Sequence, residues 1–147
     1  MESHKKELQD AGFTGKIDDS SVTRDEYSHD ASMFELVPQV VIFPKDSEDV
    51  KRAVNYVRES KKKHNHHISL TARAAGTDMS GGAINQSVLM DMTEHFNRIF
   101  EVDSKSAHVQ PGVFYRDFEV ETLKHNALMP SFPASRDLCT VGGMVAN

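Results

Sequence analysis

The sequence predicts an α/β (α+β) domain: a small parallel βαβ subdomain followed by the start of a second, mainly antiparallel sheet with helices. Three observations carry this. Val40-Val41-Ile42-Phe43, stopped by Pro44, is a continuous apolar run, the pattern of a strand covered on both faces. An amphipathic stretch from Asp46 to Lys63 and a second run, Ile68 to Ala72, then complete a strand–helix–strand unit, expected to cross over right-handed. Beyond residue 98, short strand-like runs are separated by tight polar turns, which favours hairpins.

In chain order, residues 4–11 read as a short helix closed by Gly12. The next stretch, to about Glu35, is polar and acidic without period and reads as irregular. Residues 1–36 are therefore expected to be a lead-in, and residues 37–147 the domain. After the first strand, Asp46 or Ser47 caps a helix whose first turn carries Glu48 and Asp49 and whose last carries Lys61 to Lys63, both suited to the helix dipole. Its expected apolar face is Val50, Ala53, Val54 and Val57. Ser87 to Met92 reads as a third strand, and residues 96–98 as a turn. Ile99 to Asp103 and Ala107 to Gln110 read as a hairpin. Pro111-Gly112 breaks the chain before an amphipathic helix from Tyr115 to His125, with Phe118, Val120 and Leu123 directed inward. Leu128 to Pro133 reads as extended, and Thr140 as the start of a turn or helix.

Composition narrows the function classes. The chain has 147 residues, a net charge of -5 and 27% charged residues. That balance disfavours a nucleic-acid surface, which needs a clustered basic face. No apolar stretch reaches the roughly 20 residues of a membrane span, so membrane association is at most peripheral. The N-terminus is too charged for a signal peptide. Cys139 is the single cysteine, which fits a reducing compartment, and a cytoplasmic location is expected. The apolar, glycine-rich end at Val141 to Asn147 suggests a domain incomplete at its C-terminus.

Two segments carry the chemistry. Residues 73–83, RAAGTDMSGGA, follow the second strand and hold three glycines with no aromatic or branched aliphatic side chain. Such a loop is either a flexible surface turn or a site where backbone N–H groups meet a phosphate, with Thr77 and Ser80 adding hydroxyls and Arg73 adding charge. It is neither G-x-G-x-x-G nor G-x-x-x-x-G-K-[ST], so an ATPase reading fails. The second segment, Pro130 to Gly143, is again small, hydroxyl-rich and closed by glycines. Two such segments suit one extended ligand, and a diphosphate carrying a flat ring fits.

The landmarks are Pro38-Gln39-Val40-Val41-Ile42-Phe43-Pro44, then Arg73 with Gly76-Thr77 and Ser80-Gly81-Gly82, then Asp91-Met92 with Asn97-Arg98-Ile99. Val109-Gln110-Pro111-Gly112 and the segment from Ser135 to Gly143 complete the series. In order and spacing, from about Tyr27 onward, they resemble the PCMH-type FAD-binding domain of the vanillyl-alcohol oxidase superfamily, in particular its glycolate oxidase D subunit and D-lactate dehydrogenase branch. The resemblance implies that Ala74, Ala75, Gly76, Thr77 and Asp78 offer backbone amides to the FAD diphosphate. It implies that Ser80 and Gly81 close the loop, while Pro133, Ser135, Thr140, Gly142 and Gly143 line the other side. Members that attach FAD covalently through this loop carry histidine where this chain has Thr77, so the flavin is expected to be held noncovalently. Ala74 replaces a frequent glycine.

The full-length protein is then expected to be an FAD-dependent dehydrogenase or oxidase. It would take a hydride from a small 2-hydroxy acid, D-lactate-like or glycolate-like, and pass electrons to oxygen, a quinone or a protein. No catalytic residue can be named, and the chain alone is expected to lack turnover. An enolpyruvyl-glucosamine-type FAD reductase, a non-catalytic flavin-carrying or electron-transfer subunit, and a chain that binds no flavin remain as alternatives.

Other residues have plainer readings. His64, His66 and His67 read as a solvated helix end rather than a metal tract, and no metal is expected. His29 reads as a polar turn and Cys139 as a small packing residue. Asp91 either accepts amides from the loop or sits in a strand-end turn.

Overall fold

The computed structural model describes residues 4–63 and 67–146. The chain runs α1 (His4–Asp10), β1 (Lys16–Asp18), α2 (Ser21–Glu26), β2 (Val40–Phe43), α3 (Ser47–Lys63), β3 (Leu70–Arg73) and β4 (Val88–Asp91). It continues through β5 (Ile99–Val102), β6 (Ala107–Val109), α4 (Tyr115–Leu123) and α5 (Val141–Ala146). The first sheet has the order β1-β2-β4-β3. β2 and β3 each run parallel to β4, with Val40 and Leu70 both opposite Val88, so the third strand inserts between the two strands of the βαβ unit. β5 and β6 form the antiparallel pair, with a register irregularity between Ile99 and Glu101.

The continuous apolar runs behave as expected. Every residue of β2 and β4 is buried, with α1 and α3 packed on one face and Tyr27 on the other. Val40, Ile42, Val88 and Met90 pack with Leu8, Phe13, Ala53, Tyr56, Val57 and Ile68 on the first face. Val41, Phe43 and Leu89 turn to the opposite face and meet Tyr27. A smaller core around Val113, Tyr115, Phe118 and Cys139 joins the hairpin to α4 and α5.

Three expectations are corrected. The stretch read as irregular holds β1, antiparallel to β2 along its far edge, and α2. Asp18 and Ser20 build the entry to α2: Ser20 Oγ accepts the Thr23 N–H, and Asp18 accepts the Ser20 N–H and the Thr23 hydroxyl. These are local polar contacts with no hydrophobic period to announce them. On α3, Val54 is half exposed, and the inward residues are Asp49, Ala53, Tyr56 and Val57. Val54 sits about 100° around the helix from Ala53, off that stripe. On α4, Phe118 is buried as expected, but Val120 and Leu123 are exposed and Tyr115 and Thr122 point inward. Residues 128–133 belong to no helix or ladder.

Asp49 shows how a charge is accommodated inside this core. Its fully buried carboxylate accepts the N–H and hydroxyl of Thr14, the N–H of Lys45 and the Arg52 guanidinium at 2.9 Å. Burial pushes its pKa up, but the hydrogen bonds from Thr14, Lys45 and Arg52 outweigh that and hold it below the usual carboxylate range.

Candidate functional site

The loop that follows β3 begins beside the C-terminal end of β4, where Arg73 lies opposite Asp91. Two of its glycines have positive φ, +68° at Gly76 and +86° at Gly81, the region where side chains other than those of glycine are strained. Among the described residues, no protein acceptor meets the backbone N–H groups of Ala74, Ala75, Gly76, Thr77 or Asp78. The loop closes differently after that point. The Asp78 carboxylate accepts the N–H of Gly82 at 2.6 Å, the N–H of Ser80 at 3.1 Å and the Ser80 hydroxyl. The Gly82 N–H, followed by the Ser80 hydroxyl, keeps Asp78 below the usual carboxylate range. Asp78 therefore folds the end of the loop, and among the described residues the N–H groups of 74–78 are left without a protein acceptor.

Across from this loop runs the segment from Met129 to Ala146. It has little regular structure before α5, and side-chain braces position it. Tyr115 Oη donates to the Met129 carbonyl at 3.2 Å, and the Arg116 guanidinium donates to the Asp137 carbonyl at 2.7 Å. Arg136 pairs with Glu119 and lies over the Phe132 ring, 4.6 Å from its centroid. Leu138 and Cys139 both donate their N–H to the Ser135 carbonyl. Buried Thr140 bridges to Phe114, and its hydroxyl accepts the Gly143 N–H at the start of α5.

Between loop and segment lies a cleft of about 1110 Å³. That is somewhat above the roughly 300–1,000 Å³ of ordinary small-molecule sites, large enough for an elongated ligand. Of the residues singled out from sequence, Ala74, Ala75, Gly76, Thr77, Asp78 and Ser80 line one wall, and Pro133, Ser135, Thr140 and Gly143 line the other. Three do not reach the lining. Gly81 lies against the Phe34 ring, and a Cβ there would come within 3.1 Å of it. Gly142 is pressed on Pro111, where a Cβ would fall 2.7 Å from the carbonyl oxygen. The Arg73 guanidinium donates to the backbone carbonyls of His29 at 2.6 Å and Tyr27 at 3.4 Å, and stacks on the Tyr27 ring. Burial lowers the Arg73 pKa, while Tyr27 and nearby carboxylates oppose the shift.

Sequence reasoning missed Tyr27, Met129, Phe132 and Met144. The last three line the cleft, and the Tyr27 hydroxyl donates to Asp91 at 3.0 Å. Burial and the Asp91 carboxylate both push the Tyr27 phenol pKa up. Phe132 had a signal, an aromatic ring within the second hydroxyl-rich segment; Tyr27 meets Arg73 and Asp91 through contacts more than forty residues apart.

Asp91 also accepts the N–H groups of Thr93 and Glu94, so it holds the strand-end turn rather than the loop. Cys139 is buried with its thiol pKa pushed up by burial, in keeping with packing. His29 is exposed, in a bridge to Glu35. His64 and His66 lie outside the described residues. Among the described residues, no group of three or more His, Cys, Asp or Glu side chains is placed to hold a metal, and no helix is long and apolar enough to cross a membrane.

A parallel sheet ending in an amide-rich loop, facing a second small-residue segment over a long cleft, defines a nucleotide-cofactor module of the α/β type. The chain belongs to the FAD binding domain family of the PCMH-type vanillyl-alcohol oxidase superfamily, whose model matches residues 38–147. Among curated proteins, it is 28% identical over 140 residues to D-2-hydroxyglutarate dehydrogenase from Pseudomonas putida, covering 94% of this chain and 14% of that protein. It is 28% identical to glycolate oxidase subunit GlcD from Bacillus subtilis, covering 96% and 30%. The chain thus spans less than a third of the length of these relatives.

Solved structures agree on the fold. Alkyldihydroxyacetonephosphate synthase superposes with a TM-score of 0.79 at 19% identity, covering 99% of this chain and 29% of that one. For 4-ethylphenol oxidase from Gulosibacter chungangensis the TM-score is 0.70 at 25% identity, covering 96% and 28%.

Proposed function

We propose that this chain is the FAD-holding part of a flavin-dependent oxidoreductase acting on a small 2-hydroxy acid, with the flavin bound noncovalently. The observation that carries the reading is the run of backbone N–H groups from Ala74 to Asp78, without protein acceptors, facing Ser135, Thr140 and Gly143 across one cleft. Successive main-chain donors without protein acceptors suit a diphosphate, and the volume of the cleft leaves room for the rest of a dinucleotide. Gly76, with φ of +68°, lets the loop fold over the Arg73 guanidinium, which a Cβ there would meet at 2.6 Å. Thr77 has no nucleophilic nitrogen, so it can donate a hydrogen bond to the cofactor but cannot anchor it covalently.

When bound, FAD supplies the hydride acceptor of the reaction. The residues of this chain bind and orient it: the loop amides hold the anionic centre, Thr140 and Ser135 give polar partners opposite, and Phe132 with Met129 and Met144 supply apolar wall. The substrate class rests on the relatives named for 2-hydroxy acids, D-2-hydroxyglutarate and glycolate. Purified chain titrated with FAD, FMN and NAD, followed by flavin fluorescence and by thermal shift, tests the cofactor. FAD should bind tightest, and equal or stronger binding of FMN would overturn the diphosphate reading. Turnover of the full-length protein with D-2-hydroxyglutarate, glycolate and D-lactate tests the substrate class, and flavin reduction by none of them would refute it.

A further inference from the structure

The loop is not held by its own residues alone. Both of its ends and its middle hang on a segment that precedes the matched family region, residues 27–34. At the entry, Arg73 donates to the carbonyls of Tyr27 and His29. At the first positive-φ glycine, the Gly76 carbonyl accepts the Ala31 N–H at 3.0 Å. At the second, the Phe34 ring lies against Gly81. At the exit, the Asp30 carboxylate accepts the Ala83 N–H at 3.4 Å.

This segment is itself braced. The Leu36 N–H donates to the Ser28 carbonyl, His29 bridges to Glu35, and Asp30 and Ser32 accept the N–H groups of Ser32 and Phe34. Tyr27 roots it in the sheet, with its ring packed against Phe43 and its hydroxyl on Asp91.

We infer that residues 27–34 are a positioning strap for the proposed diphosphate loop, and that Arg73 acts through this strap rather than on the cofactor. The inference rests on the FAD reading for its consequence but not for its geometry. A glycine-rich loop that is free in solution must be ordered at the moment of binding, and that ordering weakens affinity. The strap orders it beforehand. It fixes the loop at both positive-φ glycines, and the acceptor-free amides of Ala74 to Asp78 lie between the strap's contacts at Arg73 and at Gly81. The guanidinium gives its Nη1 to two carbonyls, lies over the Tyr27 ring and stays out of the cleft lining, so the anion is left to main-chain donors.

The test uses the full chain and three variants, Arg73→Lys, Asp30→Ala and Phe34→Ala. Each is read three ways: melting temperature without ligand, amide hydrogen exchange of residues 74–82 without ligand, and FAD affinity by fluorescence titration. The strap predicts exchange at least ten-fold faster across the loop and FAD affinity at least ten-fold weaker for Arg73→Lys, with smaller changes of the same sign for the other two. Exchange in β2 and β4 should stay unchanged, which shows that the sheet is intact. Weaker FAD binding with unaltered loop exchange would mean that Arg73 touches the cofactor itself, and faster exchange with unaltered affinity would mean that loop order is irrelevant to binding. Either result overturns the inference. If wild-type chain fails to bind FAD, the cofactor reading falls, and the strap then stands or falls on the exchange data alone.

Discussion

Replacing Gly81 with valine isolates the conformational demand of the loop from its chemistry. Gly81 has φ of +86° and contributes no side chain to the cleft, so the substitution neither adds nor removes a ligand contact. Holding a non-glycine residue in that region costs about 1–3 kcal/mol, and a β-branched residue lies at the upper end. The added Cβ also starts 3.1 Å from the Phe34 ring, and Phe34 is half exposed and can yield. The loop lies outside both cores, so the free chain relieves the strain by leaving this conformation at little cost to global stability. Binding must then restore it, and the strain appears in affinity as a loss of roughly 5- to 150-fold. Gly82→Ala serves as the control for conformation: its φ is not positive, so the added Cβ, 3.1 Å from the Asp78 carboxylate, brings no backbone strain. That change should stay within about 0.5 kcal/mol. Fluorescence titration with FAD, beside thermal melts of both variants, gives the answer. Wild-type affinity in Gly81→Val would refute the reasoning and reduce the loop to a surface turn.

Three further outcomes follow from the structure. Flavin copurifying with the full-length protein should be released by acid or heat as free FAD because Thr77 cannot bond to it, and flavin retained after denaturation would contradict this. Gly112→Ala should destabilise the chain by about 3 kcal/mol through overpacking, since the new Cβ would fall 2.0 Å from the Met92 carbonyl oxygen with only backbone around it; an unchanged denaturation midpoint would refute that. Asp49 carries the pH dependence: its folded pKa lies below the unfolded value of about 3.9, so its contribution is complete above that value and is lost as the pH falls through the lower folded one. The melting temperature should therefore fall on acidification below about pH 4, and Asp49→Asn should flatten that fall while lowering stability at neutral pH.

The parts of the fold that were legible share a physical cause. β2 and β4 are buried on both faces, and apolar runs suit that environment, so Val40 to Phe43 and Val88 to Met90 stood out. The same logic fails at the sheet edge. β1 is three residues long, half exposed and rich in charge, and its place is set by pairing with β2 rather than by any pattern of its own. Helix faces were misjudged where a polar residue lies inside. Asp49 and Thr122 are buried because their hydrogen bonds are satisfied within the fold, and a count of apolar positions rotates the helix away from them.

The site was legible as composition but not as division of labour. A stretch of small residues announces that backbone will approach something, and the cleft does line up the loop with the segment from Ser135 to Gly143. Which residues face the ligand is decided by contacts distant in sequence. Arg73 looks like a phosphate partner because it is the single Lys or Arg within residues 73–83, yet its Nη1 donates to two carbonyls more than forty residues earlier. Gly142 looks like a close-approach glycine and is one, but the backbone it approaches is that of Pro111. In both cases the residue type was dictated by steric or electrostatic need, and only the partner was misassigned. An anion site made of main-chain donors leaves its side chains free for scaffolding. Charge reversal at Arg73 should therefore act chiefly through the order of the loop, whereas a substitution that removes the Thr77 amide should abolish binding with the Arg73 contacts to Tyr27 and His29 retained.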